Sequence, residues 1–137
     1  MPRSTKYTLG AALSAGVVVY NSASTTAAAC DADSSASATA ALRPLGALRA
    51  SGASGDEAVI AADGEIVAMT AGSAIADGDV LVCLDGAGGQ VAPLTSVAAS
   101  LADGNPIYTI GRAQAAAASG ATVMVHQSVQ LIFASIP

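Results

Sequence analysis

The sequence predicts an all-β fold, a small β-barrel or sandwich of short antiparallel strands with an extended N-terminal arm. Three observations predict it. A phrase of small residues, then a glycine, then a β-branched run occurs at 10–20, 72–82 and 114–125. Glycine accepts a positive φ and valine packs well on a pleated surface, so such a phrase punctuates a turn that leads into a strand. Asp-Gly and Gly-rich pairs recur at short spacing between Val, Ile and Thr runs, and no alternation of strand with long amphipathic helix is present. Finally, 34 of the 137 residues are alanine and the aromatic residues are Tyr7, Tyr20, Tyr108 and Phe133, so the core is thin and built from Val, Ile and Leu.

The elements follow in chain order. Residues 1–9 are polar enough for an arm, and 10–137 are read as one β domain. A strand is expected at 17–20. The stretch 21–41, almost all Ala, Ser, Thr and Asp, reads as a long Ala/Ser-rich loop or irregular strand. Arg43-Pro-Leu-Gly46 reads as a turn and 50–55 as a flexible loop. Asp63-Gly64 between the β-type runs 57–62 and 65–70 signals a two-residue hairpin, in a register pairing Ala61 with Ile66 and Val59 with Ala68. The second phrase supplies a turn and a strand to Leu84, residues 85–89 a tight connection, and 90–94 another strand. Residues 93–101 are a short helix or a loop ending at Asp103-Gly104. Strands are expected at 107–112, 122–127 and 129–134, and the Ala-rich run 113–119 has the propensity for a short helical turn.

Composition narrows the function classes. Apolar burial stabilises by about 25 cal/mol per Å², so an Ala-rich, aromatic-poor chain gains little per residue as a monomer, and an assembly is expected. The net charge of −5 is uneven, because Arg3, Lys6, Arg43 and Arg49 lie in the first 55 residues while eight of the ten acids lie beyond them. With five basic residues in all, direct nucleic-acid binding is not expected. Cys30 and Cys83 fit no metal motif and do not by themselves declare a disulfide; Cys83 is expected to be buried in the strand 80–84. Arg3 and Lys6, the apolar stretch 9–20 and the run Ala27-Ala28-Ala29-Cys30 imitate a secretory signal, and the segment is nevertheless read as part of the folded chain. No apolar run reaches membrane-spanning length, so no membrane is expected as a partner.

A search for chemistry finds no reaction centre. His126 is the one histidine; it sits in a strand run without an evident nucleophile or acid beside it and reads as a strand-face residue. Asp63, Asp77, Asp79, Asp85 and Asp103 adjoin glycines, where a carboxylate caps a turn through backbone N–H groups. Asp77, Asp79 and Asp85 are too sparse for a calcium loop. The segment 85–90 lacks the Lys-Ser/Thr ending and following helix of a phosphate loop. Gly52-Ala-Ser54-Gly55 breaks the spacing of a nucleophile elbow. Gly78-Asp-Val-Leu-Val is similar to lipoyl or biotinyl carrier domains, but these need a lysine in an exposed hairpin, and Lys6 is the one lysine. No catalytic residue, metal ligand or cofactor is expected, and the chain reads as a structural protein, not an enzyme.

The pattern Gly72-x-Ala-Ile-x-x-Gly78-Asp-x-Leu-Val, then Pro106-Ile-Tyr-Thr-Ile-Gly111-Arg-Ala, then Ala-Ser-Gly120-Ala-Thr-Val-x-Val125 resembles the small capsid cement, or decoration, proteins of tailed bacteriophages. The resemblance spans 66–127, a little under half the chain. Met124, His126 and the 21–41 segment depart from the pattern. It implies a β protein on the outer surface of the virion, bound to the major capsid protein and stabilising the shell, often as a trimeric homo-oligomer. Under that reading the contacts with capsid or a sister subunit fall on Arg3, Lys6, Tyr7 and Leu9. The alternative is a secreted or cell-surface structural or adhesive β module with a cleavable N-terminal signal.

Overall fold

A computed structural model of the chain describes residues 7–23, 26–29, 44–83, 89–95 and 106–133. Nine strands lie among them: β1 (Thr8–Leu9), β2 (Val18–Ala23), β3 (Thr26–Ala29), β4 (Pro44–Ala47), β5 (Ile66–Thr70), β6 (Val80–Cys83), β7 (Val91–Pro93), β8 (Pro106–Ala113) and β9 (Thr122–Phe133). They form a four-stranded sheet in the order β1-β3-β2-β4 and a five-stranded sheet in the order β5-β9-β8-β6-β7. Among the described residues the sheets are not closed into barrels by continuous ladders, and the all-β fold is of the sandwich type. Alternation explains the long strand β9: Val123, Val125, Gln127 and Val129 are buried, while Thr122, Met124, His126 and Gln130 face out.

The three glycine phrases fold alike. In each, the residue after the glycine donates its N–H to the carbonyl three residues before itself: Val17 to Ser14 at 3.3 Å, Asp79 to Ala76 at 3.2 Å and Ala121 to Ala118 at 3.0 Å. Gly16, Gly78 and Gly120 have φ of 92°, 85° and 84°, and β2, β6 and β9 each begin two residues later. A fourth copy occupies 52–57, where a flexible loop was expected: Asp56 N–H donates to Ala53 at 3.0 Å and Gly55 has φ 89°. The four turns interlock in two pairs. Leu13 and Gly52 exchange two hydrogen bonds of 3.0 Å, and Ile75 and Ala117 exchange bonds of 2.8 and 2.9 Å.

These pairs belong to a tandem structural duplication of the chain. A head unit (7–62) and a tail unit (65–133) repeat the same pairings at matched positions. Val18 pairs with Ala47 as Val80 does with Arg112, and Val19 with Gly46 as Leu81 does with Gly111. Leu48 pairs with Ile60 as Ala113 does with Val125, and Thr8 with Glu57 as Thr70 does with Thr122. The parallel contact of Leu9 with Ala27 returns as Ala71 with Val91. The cores match as well: Leu9, Val19, Ala27 and Leu48 in the head correspond to Ala71, Leu81, Val91 and Ala113 in the tail.

Several local expectations are corrected. Asp63-Gly64 does turn, with Glu65 N–H donating to Ala62 at 3.2 Å, but its flanks do not form a hairpin. Ile66 pairs with His126 and Ala68 with Met124, while Ile60 pairs with Leu48. The reason is that the turn is bonded to β9: Gly64 N–H donates to Gln127 O at 2.8 Å and Asp63 Oδ1 accepts from Val129 N–H at 3.3 Å, so the chain crosses between units here. The Pro-Leu-Gly stretch expected to turn is β4, and the two strands expected within 122–134 are one. The Ala-rich run is not a helical turn, because Ala117 bridges Ile75. The strand expectations at 17–20, 80–84, 90–94 and 107–112 match β2, β6, β7 and β8, and Cys83 is buried. Part of 21–41 lies in β2 and β3; residues 30–41, Cys30, and most of the 85–89 and 93–104 connections lie outside the described residues.

Candidate interaction surface

The two units meet through non-equivalent surfaces. On the head side, Val18, Ala47 and Ala61 turn their side chains out of their own sheet and into the main core, where they pack with tail residues such as Val67 and Cys83. All three are at most 2% exposed. Backbone bonds frame this apolar contact: Thr70 N–H donates to Gly16 O at 3.2 Å, and Val18 N–H to Gly89 O at 2.9 Å. Gly89, at φ 83°, has no room for a side chain, because a β-carbon would come within 2.5 Å of Val17 Cγ1.

Gln127, fully buried, supplies the polar centre of the junction. Its Oε1 accepts from Ala47 N–H at 3.0 Å, and its Nε2 donates to Ala61 O at 2.8 Å and to Asp63 Oδ1 at 3.3 Å. The amide thus takes the place of a peptide group between two strand segments of the head. Such a buried amide is stable only because its donors and acceptor are all matched.

Two surface features flank the junction. A groove of about 370 Å³ runs between the units, lined by Ala15, Gly16, Leu48 and Arg49 from the head and by 66–70 and Thr122 from the tail. Arg49 and Glu65 form an ion pair of 3.4 Å, with both side chains well exposed. On the outer face of the tail, Ile66, His126, Arg112 and Val80 stand in a row across β5, β9, β8 and β6. Beside this row lies a cleft of about 290 Å³ that Thr109, Gly111, Ser128 and Gln130 also line. Apolar surface is exposed at Val59, Ile66, Met124 and Leu131.

The residues expected to make contacts fall differently. Arg3 and Lys6 lie outside the described residues. Tyr7 is half-buried against the head core, and its carbonyl accepts from Ala58 N–H at 2.7 Å. Leu9 is 3% exposed, within the head core, so its side chain is enclosed by its own unit. His126 is exposed on the strand face, with Ile66 and Arg112 as ladder partners. Asp56 and Asp79 cap their turns, each accepting through Oδ2 from the N–H three residues earlier, Ala53 at 2.9 Å and Ala76 at 2.8 Å. Among the described residues no three His, Cys, Asp or Glu side chains converge as metal ligands would, and no helix there is long and apolar enough to cross a membrane. Sequence reading missed Gln127 and the tail row; the signal available for Gln127 was a polar residue at an inward position of an otherwise apolar alternation.

No protein-family model matches the chain, and no curated protein matches it.

Proposed function

We propose that the chain is a structural virion protein that binds the outer surface of a tailed-phage capsid and stabilises the shell, acting as a homo-oligomer with a trimer favoured. The observation that carries this reading is the pattern of turn and strand residues from Ile66 to Gln127, which is similar to that of capsid cement proteins. Physical features support it. The core is rich in Ala and Val, and a folded form that binds a lattice gains stability by mass action. Ile66, Met124, Val59 and Leu131 offer apolar area of the kind a docking surface uses.

Arg3, Lys6 and Tyr7 remain the proposed contacts with the major capsid protein or a sister subunit; Leu9 is excluded from that role by its burial. The alternative of a secreted module with a cleaved signal would remove β1, β2 and β3, and with them Leu9, Val18, Val19 and Ala27 of the core. The test is co-sedimentation of the purified chain with tailed-phage capsids that lack their cement protein. Saturable binding at a fixed ratio to the capsid protein, reduced by deletion of residues 2–6, is the expected result. Absence of the chain from the capsid fraction at all concentrations overturns the reading.

A further inference from the structure

The head and tail are joined by a heterologous contact, one surface of the head against a different surface of the tail. Contacts of this type repeat indefinitely unless the rotation closes or the end is blocked. The surface by which the head holds the tail has a counterpart on the tail itself. By the duplication, Gly16, Val18, Ala47 and Ala61 correspond to Gly78, Val80, Arg112 and His126. In the head, these positions are buried against the tail. In the tail they lie on the outer face, with Arg112 and His126 exposed and Gly78 and Val80 half-buried.

Three differences separate the two surfaces. Gly16 O accepts from the other unit, through Thr70 N–H, whereas Gly78 O accepts from Arg112 Nη1 of its own unit at 2.9 Å. The small apolar Ala47 and Ala61 are replaced by the exposed Arg112 and His126. In the head, Ala61 N–H donates directly to Ala47 O at 2.9 Å, but the return pair, Ala47 N–H and Ala61 O, is bridged by the Gln127 amide, whereas in the tail Arg112 and His126 pair within the β8–β9 ladder. The opposite end of the chain differs too, because Ala62 stands at the head position that corresponds to Gln127.

We propose that the row of Arg112 and His126 is an end cap, which stops a second copy of this chain from stacking its head unit on the tail as the chain's own head and tail stack. Arg112 occupies the carbonyl that the incoming strand would use, and the two side chains place charge and polar bulk where the junction requires methyl groups. Repeat proteins end in polar caps for the same reason. The cap acts on open-ended growth and leaves closed oligomers built through other surfaces unaffected.

The test compares three full-length proteins by sedimentation velocity from micromolar to millimolar concentration: wild type, A62Q/R112A/H126A, and A62R/R112A/H126A. All three positions are exposed, and far-UV circular dichroism checks that each folds. The first triple variant recreates the apolar face and the amide of the internal junction, and its weight-average mass is expected at least to double with concentration while wild type stays constant. The second puts a charge at the same junction and is expected to behave as wild type. A62Q/R112A/H126A holding wild-type mass throughout, open-ended growth by wild type itself, or equal growth by the A62R variant would each overturn the cap.

Discussion

The side-chain amide of Gln127 lies where a β-carbon on Gly46 would have to be. Gly46 has φ 142°, and a methyl group built there would approach Nε2 to 2.5 Å and Oε1 to 2.9 Å. Gly46 belongs to β4 of the head and Gln127 to β9 of the tail, so one missing carbon admits the polar group that locks the two units together. Loss of the amide in Gln127→Ala leaves the buried Ala47 N–H and Ala61 C=O unmatched, at about 1–3 kcal/mol each. Gly46→Ala is expected to destabilise by more than about 2 kcal/mol through clash and backbone strain. In urea unfolding the double variant should fall short of the summed single losses by about 1 kcal/mol or more, since Gln127→Ala removes the two amide atoms that the added carbon meets and leaves only Ala61 O, at 2.7 Å. Additive losses would show that the two residues are not coupled.

Three of the turn glycines and the junction residue Gly89 separate conformational strain from crowding. Gly55, Gly78 and Gly120 have open space around a β-carbon, so alanine there is expected to lose only the cost of positive φ, about 1 kcal/mol. Gly89→Ala should be far worse, because Val17 Cγ1 and Val18 O stand at 2.5 and 2.7 Å from the added carbon. Thermal unfolding of the four variants ranks them, and equal shifts in Tm would contradict the crowding argument.

Asp56 and Asp79 perform the same service in two copies of one turn. Alanine at either position frees a backbone N–H and is expected to lower stability by about 1 kcal/mol, while asparagine keeps most of it. Chemical denaturation of both pairs of variants measures this. An alanine as stable as wild type would reduce these carboxylates to surface charges.

A chain beginning at Cys30 lacks β1 to β3 and should not fold. Its circular dichroism is expected to lack the β signature, and limited proteolysis should digest it entirely where the full chain resists. A protease-resistant body from such a chain would favour the secreted reading.

Capsid attachment is expected to depend on exposed apolar residues next to the junction groove. Ile66→Asp and Met124→Asp should reduce capsid occupancy at least tenfold together, a loss of about 1.4 kcal/mol, with thermal stability unchanged because both side chains already face solvent. Undiminished occupancy would move the contact to another face.

Local chemistry carried much of the fold. Gly16, Gly78 and Gly120 are turn positions because the residues around them are small and a β-branched run follows, and each does start a strand. The fourth copy escaped because Gly55 is followed by Asp-Glu instead of valine, so the same backbone turn carried no strand signal. The hairpin at Asp63-Gly64 failed for a related reason: the dipeptide specifies a reversal but not what the emerging strand will pair with, and bonds from Gln127 and Val129 to the turn directed it to β9. Of the interaction surface, Arg112 and His126 were visible only as separate strand residues. Their adjacency depends on the β8–β9 register, which shifts between Thr109 and Gly111.

The sequence by itself determined the all-β class and the turns at Gly16, Gly78 and Gly120, because these follow from residue-level preferences for φ and burial. The duplication, the seating of Gln127 opposite Gly46 and the different fates of Ala47 and Arg112 were decided only in the tertiary structure. Matched positions in the two units share a backbone environment but not a side chain, and what a position faces is set by packing between units, which no local pattern encodes.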